Sequence, residues 1–343
     1  MEIIGSCGFI RHLLLLTLVA ISPALAAAEV NLYSARQEAL IKPLLDRFIA
    51  STGTQINLVS GDPDALLQRL KSEGKNSPAD LFLTVDVGRL LRAQEMGLLQ
   101  AVDSAVLREA IPAQYRDPAG HWFGISLRAR VIVYAKERVR PEELSTYEAL
   151  AEPKWRGKIC VRSSSHVYNQ SLVAALIAHL GVEQTERWAR GLVANLARPP
   201  EGGDRDQIKA VAAGQCDLAI VNTYYLGGLL NSADAKEREA AAKVGLFWPN
   251  QQGRGVHINI SGAGVTKAAQ HRNEALRLLE FLVSDESQRW YAETNFEYPV
   301  KRGIAISDTL QAWGTFIPDK LNLSLLGKHN AEALRLLDRV GWK

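Results

Sequence analysis

Short runs of apolar, β-forming residues alternate with longer stretches of helical periodicity along most of the chain, and this alternation confines it to a sheet flanked by helices. Val30-Asn31-Leu32-Tyr33 reads as a first strand. Over Ala39–Ala50 the apolar residues Leu40, Ile41, Leu44, Leu45 and Phe48 fall three and four apart, which predicts a helix with one apolar face. Thr52-Gly53 ends it. A strand at Gln55–Val59, a helix at Asp64–Lys71, a buried strand at Ala79–Val85 and a short helix at Arg89–Gln94 follow. Gly124–Tyr134 is a long β-type stretch that carries Arg128 and Arg130. Later helices are expected at Ser145–Leu150, Ser171–Leu180, Gln207–Ala213, Asn273–Val283 and Ala331–Val340, and strands at Cys216–Val221, Gly245–Trp248 and Ile258–Ile260. The expectation is an α/β fold with a mostly parallel sheet.

At 343 residues the chain has room for two domains of roughly 150 residues each, yet no Pro/Gly/Ser-rich linker separates them. Two lobes without a linker imply that strands of the sheet cross between them. Ile125–Val133 and His257–Val265 are the candidate crossings. The expected division is a discontinuous first lobe, 29–125 with 256–343, and a second lobe, 126–255.

Residues 1–28 read as a secretory signal peptide. Arg11 and His12 precede the apolar run from Leu13 to Ile21, Ser22-Pro23 breaks it, and small residues follow through Ala28. The run is too short for a spanning helix, which needs about 20 residues. Cys7 sits before the apolar core, the wrong side for a lipid anchor. Removing this segment takes away Glu2 and Arg11, so the net charge of +3 does not change. Lys and Arg total 40 against 37 Asp and Glu, which leaves no polybasic surface for nucleic acid. Cys160 and Cys216 remain after export to a compartment where disulfides persist. They form either one bridge or two buried thiols, and no C-x-x-C spacing points to zinc or a redox dithiol.

Of nine tyrosines, two are adjacent. Tyr224-Tyr225 come straight after the apolar run from Cys216 to Val221 and the pair Asn222-Thr223. Ligands of open α/β sheets sit at the carboxyl ends of strands, where loops meet helix N-termini. Tyr168 occupies another such junction, between Ser163-Ser164-Ser165-His166 and Asn169-Gln170-Ser171. A free phenol has a pKa of about 10, so it binds metal only where a strongly charged cation displaces its proton. Hard cations prefer oxygen donors, and three phenolates balance the charge of Fe(III). Paired tyrosines also occur as half-buried packing, and residue types alone do not separate the two.

Several stretches resemble the ferric-iron-binding substrate proteins of bacterial ABC importers. They are Tyr33-Ser34-Ala35-Arg36-Gln37, Ser77-Pro78-Ala79-Asp80, Trp122-Phe123-Gly124, Arg128-Ala129-Arg130-Val131, Ser163-Ser164-Ser165 with Tyr168-Asn169-Gln170-Ser171, Asn222-Thr223-Tyr224-Tyr225-Leu226-Gly227, Ser261-Gly262-Ala263-Gly264 and Glu297-Tyr298-Pro299-Val300. The resemblance implies a two-lobed periplasmic binding protein of type II, with hinge strands between the lobes and no enzymatic activity. It further implies a periplasmic, monomeric protein with a membrane permease as partner.

By the same resemblance Tyr168, Tyr224 and Tyr225 ligate Fe(III) as phenolates. Some relatives add a His or Tyr from the first loop; here those positions are Gln37 and Glu38. Either Glu38 donates a carboxylate, or a synergistic anion such as carbonate completes the site, held by Arg36 and Arg128. Arg130 is the weaker choice. Tyr33 is expected to pack, Asp86 to lie at the crevice rim or in a solvated turn, and His166 and His257 to be structural or exposed and outside the ligand set. Competing readings are the same fold holding a polyamine, thiamine or an oxyanion, and, more remotely, an exported hydrolase using Ser165. No G-x-S-x-G, H-E-x-x-H or P-loop supports the last.

Overall fold

The computed structural model describes residues 28–343, so the expected signal peptide lies outside the described residues except for Ala28. Eight strands form one sheet: β1 (Glu29–Ser34), β2 (Gln55–Ser60), β3 (Leu81–Thr84), β4 (Phe123–Ala135), β5 (Ile159–Cys160), β6 (Leu218–Asn222), β7 (Val244–Phe247) and β8 (Ile258–Val265). The order is β2-β1-β3-β8-β4-β6-β5, with β7 also on β4. Every residue of β3, β6 and β8 is buried, as expected of strands covered by helices on both faces.

The sheet is mixed, not mostly parallel. β1 runs parallel to β2 and β3, and β5 parallel to β6. β8 runs against β3 and β4, and β4 runs against β6 and β7. The antiparallel pairs all involve β4 or β8; of these two expected crossings, β8 pairs with β3 and with Phe123–Ala129 of β4, and it is β4 that pairs on both sides. From Phe123 to Ala129, β4 pairs with β8; from Arg130 to Ala135 it pairs with β6 and β7. One continuous strand of 13 residues thus belongs to both halves, and its partner changes between Ala129 and Arg130.

Helix Val87–Glu95 starts behind β3, capped by Asp86, whose Oδ1 accepts the Gly88 N–H at 2.8 Å. Asp86 has no exposed surface, which replaces the expected solvated turn or rim position with a buried cap. The last helix, Ser324–Arg339, packs against both Val87–Glu95 and Val167–Leu180. Gly327 permits the close approach, since a Cβ there would lie 2.6 Å from a Leu91 methyl. Trp342 then donates its indole N–H to the Arg162 carbonyl at 3.1 Å. The C-terminal segment therefore touches residues on both sides of the β4 crossing.

Cys160 in β5 and Cys216 just ahead of β6 form a disulfide with Cα atoms 5.9 Å apart, which resolves the two sequence alternatives in favour of a bridge. It ties together two parallel neighbours at the end of β6 opposite Tyr224. Chain-entropy loss for a loop closed across 56 positions amounts to about 4 kcal/mol. The Cys160→Ser/Cys216→Ser double variant should therefore unfold at a clearly lower urea concentration than the oxidised protein. Equal midpoints would mean that the bridge does not constrain the unfolded chain.

Candidate metal centre

β6 is apolar up to Val221, and at Asn222 the chain turns directly into helix Thr223–Leu230. Tyr224 and Tyr225 thus occupy its first turn, with ring centroids 4.2 Å apart and planes inclined by 34°. Tyr168 is the second residue of helix Val167–Leu180, whose first turn is capped by the His166 imidazole accepting the Tyr168 N–H at 3.3 Å. The two helix starts converge, and the Tyr168 and Tyr224 hydroxyls are 2.9 Å apart. Both sit where unpaired backbone N–H groups and the helix dipole favour negative charge.

Burial pushes the Tyr224 phenol well above its ordinary pKa, and negative charge on Tyr168 or Tyr225 would push it further; Arg128 acts in the opposite sense. Burial likewise raises Tyr225, reinforced by Tyr168 and Asp204. Left alone, these two phenols keep their protons at neutral pH. Positive charge surrounds the third: the guanidinium carbons of Arg128, Arg162 and Arg130 lie 5.4, 5.5 and 5.8 Å from the Tyr168 ring centre. Among the described residues no group of three or more His, Cys, Asp or Glu side chains is placed to hold a metal. Phenol oxygens are the donors this cleft concentrates.

The cleft is a cavity of about 410 Å³ walled from both sides of the sheet crossing, by Gln37, Pro63 and Arg89 on one side and Tyr168, Tyr225 and Arg205 on the other. Among its lining residues, Phe296, at φ 54°, packs on Gly227, where a Cβ would lie 2.6 Å from the Phe296 side chain. A non-glycine residue in the left-handed region costs about 1–3 kcal/mol and is held only by its surroundings.

Glu38 lies exposed in the short turn Glu38–Leu40, and it is its neighbour Gln37 that lines the cavity. Arg36 lines the cavity too, but its guanidinium is already engaged: it donates to Glu297 Oε2 at 2.6 Å and to Ser261 Oγ at 2.9 Å. Arg128 donates to Ser261 Oγ at 3.2 Å and to the Val85 carbonyl, while its Nε is buried without a partner. Arg130 is tied to Asp204 and Asn169, both at 2.7 Å. Tyr33 packs as expected, buried with its hydroxyl donating to Glu73 at 2.9 Å. His166 lines the cavity as well; burial and Arg162 push its pKa down to about 3, so it is neutral. Burial and Arg130 do the same to His257, also to about 3.

Sequence reasoning missed Arg205, Phe296 and the partner of Arg36. Arg205 lines the cavity and forms no salt bridge among the described residues. Its place in the first turn of helix Asp204–Ala212 looks like an ordinary solvated position, and no local signal marks it. Glu297 was in view as part of a matching stretch, but nothing local says that it meets Arg36, 261 positions away.

Residues 76–316 match the family described as bacterial extracellular solute-binding protein. The chain is 49% identical to iron uptake protein A1 of Synechocystis over 92% of its own length and 88% of that protein's. Among solved structures, Trichodesmium IdiA (FutA) in complex with iron and citrate ligands is 53% identical, with a TM-score of 0.89 over 92% of this chain and all of that one. The ferric binding protein from Campylobacter jejuni is 38% identical, with a TM-score of 0.88 over the same share of this chain. The chain belongs to the bacterial extracellular solute-binding proteins.

Proposed function

We propose that this protein captures Fe(III) in the cleft through the phenolates of Tyr168, Tyr224 and Tyr225, and hands it to the permease of an ABC importer. The carrying observation is the 2.9 Å contact between the Tyr168 and Tyr224 hydroxyls, made by residues on separate helices in a cleft without clustered acids. Three phenolates neutralise a trivalent ion, and the electrostatic cost of creating them is met by that ion. The names of the relatives, an iron uptake protein and a ferric binding protein, agree with this reading.

A cavity of about 410 Å³ leaves room for an anion beside the ion, and the Trichodesmium relative is described with citrate as well as iron. Carbonate or a carboxylate chelator fits the same chemistry. Because Arg36 is engaged by Glu297, Arg128 and the unpaired Arg205 are the guanidinium groups that hold it. Glu38, exposed and outside the lining, takes no part. The same arginines oppose a polyamine or thiamine, which would bring further positive charge. A hydrolase finds no support either: the Ser165 hydroxyl meets Ser163 Oγ at 2.9 Å, a turn contact, and the relatives are transport binding proteins.

In this reading the mature monomer works in the periplasm once residues 1–28 are removed, and two lobes close over the ion. Their strands divide where β4 changes partners, near the expected boundary of 126, and the C-terminal helix spans both. Closure would give the permease a surface that the open form lacks.

Adding ferric nitrilotriacetate to the purified protein should produce a visible phenolate-to-iron charge-transfer band, which the Tyr224→Phe/Tyr225→Phe double variant abolishes; a red double variant would refute the ligand assignment. Because the bound state needs Tyr224 and Tyr225 deprotonated and burial keeps both protonated, loading should release at least about two protons per ion. The band should bleach as pH falls from about 7.5 to about 5.5, since acid favours the protonated, unbound phenols. A band of unchanged intensity down to the acid unfolding of the protein would count against phenolate ligation.

A further inference from the structure

Asp86 is a buried carboxylate on the first-lobe side of the cleft that the ferric site does not use. Its Oδ1 accepts the Gly88 N–H at 2.8 Å, and its Oδ2 accepts the Ser171 hydroxyl at 2.9 Å and the Asn259 amide at 2.7 Å. It has no exposed surface, so each of these donors replaces water that the carboxylate has lost. Arg128 stands 3.9 Å away.

Two of these partners lead to the same phenol. Ser171 lies three positions after Tyr168 in helix Val167–Leu180, one turn along on the same side of the helix. Arg128 faces Asn259 across the β4–β8 pairing, and its guanidinium lies 5.4 Å from the Tyr168 ring centre. Asp86 itself begins the first-lobe helix Val87–Glu95. The Asp86–Ser171 hydrogen bond therefore crosses from one lobe to the other, beside the point where β4 passes between Arg128 and Arg130 from β8 to β6. The Asp86–Ser171 contact thus ties the helix that presents Tyr168 to the first-lobe helix start.

We propose that Asp86 is a positioning residue for the Tyr168 ligand, holding the start of helix Val167–Leu180 through Ser171 so that the phenol meets the ion only when the lobes stand as they do here. This assignment rests on the ferric-ion reading of the cleft. Asp86 touches neither ion nor anion; it acts through Ser171 and Arg128.

The test uses the mature protein loaded from ferric nitrilotriacetate and challenged with excess EDTA, comparing wild type with Ser171→Ala, Ser171→Thr, Asp86→Asn and the Asp86→Asn/Ser171→Ala double variant. Ser171→Ala keeps a charge-transfer band, but the band shifts and iron is lost about tenfold faster, the effect of one hydrogen bond to a charged acceptor. Ser171→Thr, which restores a hydroxyl, returns both towards wild type. The double variant loses iron no faster than the worse single variant, because both act through one contact. A Ser171→Ala protein with a lowered melting temperature but wild-type band and release rate would make Asp86 a helix cap only and overturn the proposal. Additive effects in the double variant would overturn it too. A colourless wild type would instead remove the ferric reading, and this role with it.

Discussion

A phenol buried among other phenols holds its proton until a positive charge takes that proton's place, and the cleft is built around this constraint. Burial raises Tyr224 and Tyr225, and negative charge on Tyr168 would raise both further, so without cargo these two phenols keep their protons while the Tyr168 and Tyr224 hydroxyls lie in hydrogen-bond contact. Helix starts and guanidinium groups lower the cost of ionisation without removing it. On the proposed phenolate ligation, a divalent ion would repay less of the cost of stripping three phenols than a trivalent one, and oxygen donors would offer nothing to a metal that prefers nitrogen or sulfur.

Around the phenols lies a framework of buried charge. Arg36 with Glu297 and Arg130 with Asp204 are ion pairs whose four side chains are almost entirely out of solvent. Such pairs add little net stability, but removing one partner strands the other at a cost of about 3–5 kcal/mol. What they supply here is fixed geometry: Arg130 holds Asn169, the residue after Tyr168, and Arg36 joins β1 to Ser261 of β8. The cleft is therefore braced beneath the Tyr168 and Tyr224 hydroxyls, which stand 2.9 Å apart.

The position of the tyrosines at strand-to-helix junctions and the length of β4 were legible in the sequence for simple reasons. Two aromatic hydroxyls directly after an apolar strand have few places to go, and β4 is too long and too apolar to serve a single small lobe. The mixed direction of the sheet was not legible, since strand periodicity carries no sign. Helix Val167–Leu180 was expected to begin only at Ser171, because Asn169 and Gln170 look like turn residues. Both are in fact buried and spend their amides on loop carbonyls, Asn169 on Arg162 at 2.9 Å and Gln170 on Ser165 at 2.9 Å. Helix Val182–Ala194 was overlooked although Thr185, Trp188, Ala189 and Leu192 keep helical spacing, since charged and polar residues fill the intervening positions. The ion pair between Arg36 and Glu297 joins residues 261 positions apart, which no local pattern could disclose.

The C-terminal helix has a consequence for how the molecule comes apart. Ser324–Arg339 covers helices from both halves of the protein, so its detachment would bare an apolar flank on each half at once. Two otherwise separate sheets of contacts thus share one fastening, and a disturbance that loosens this helix is felt on both sides of the crossing strand.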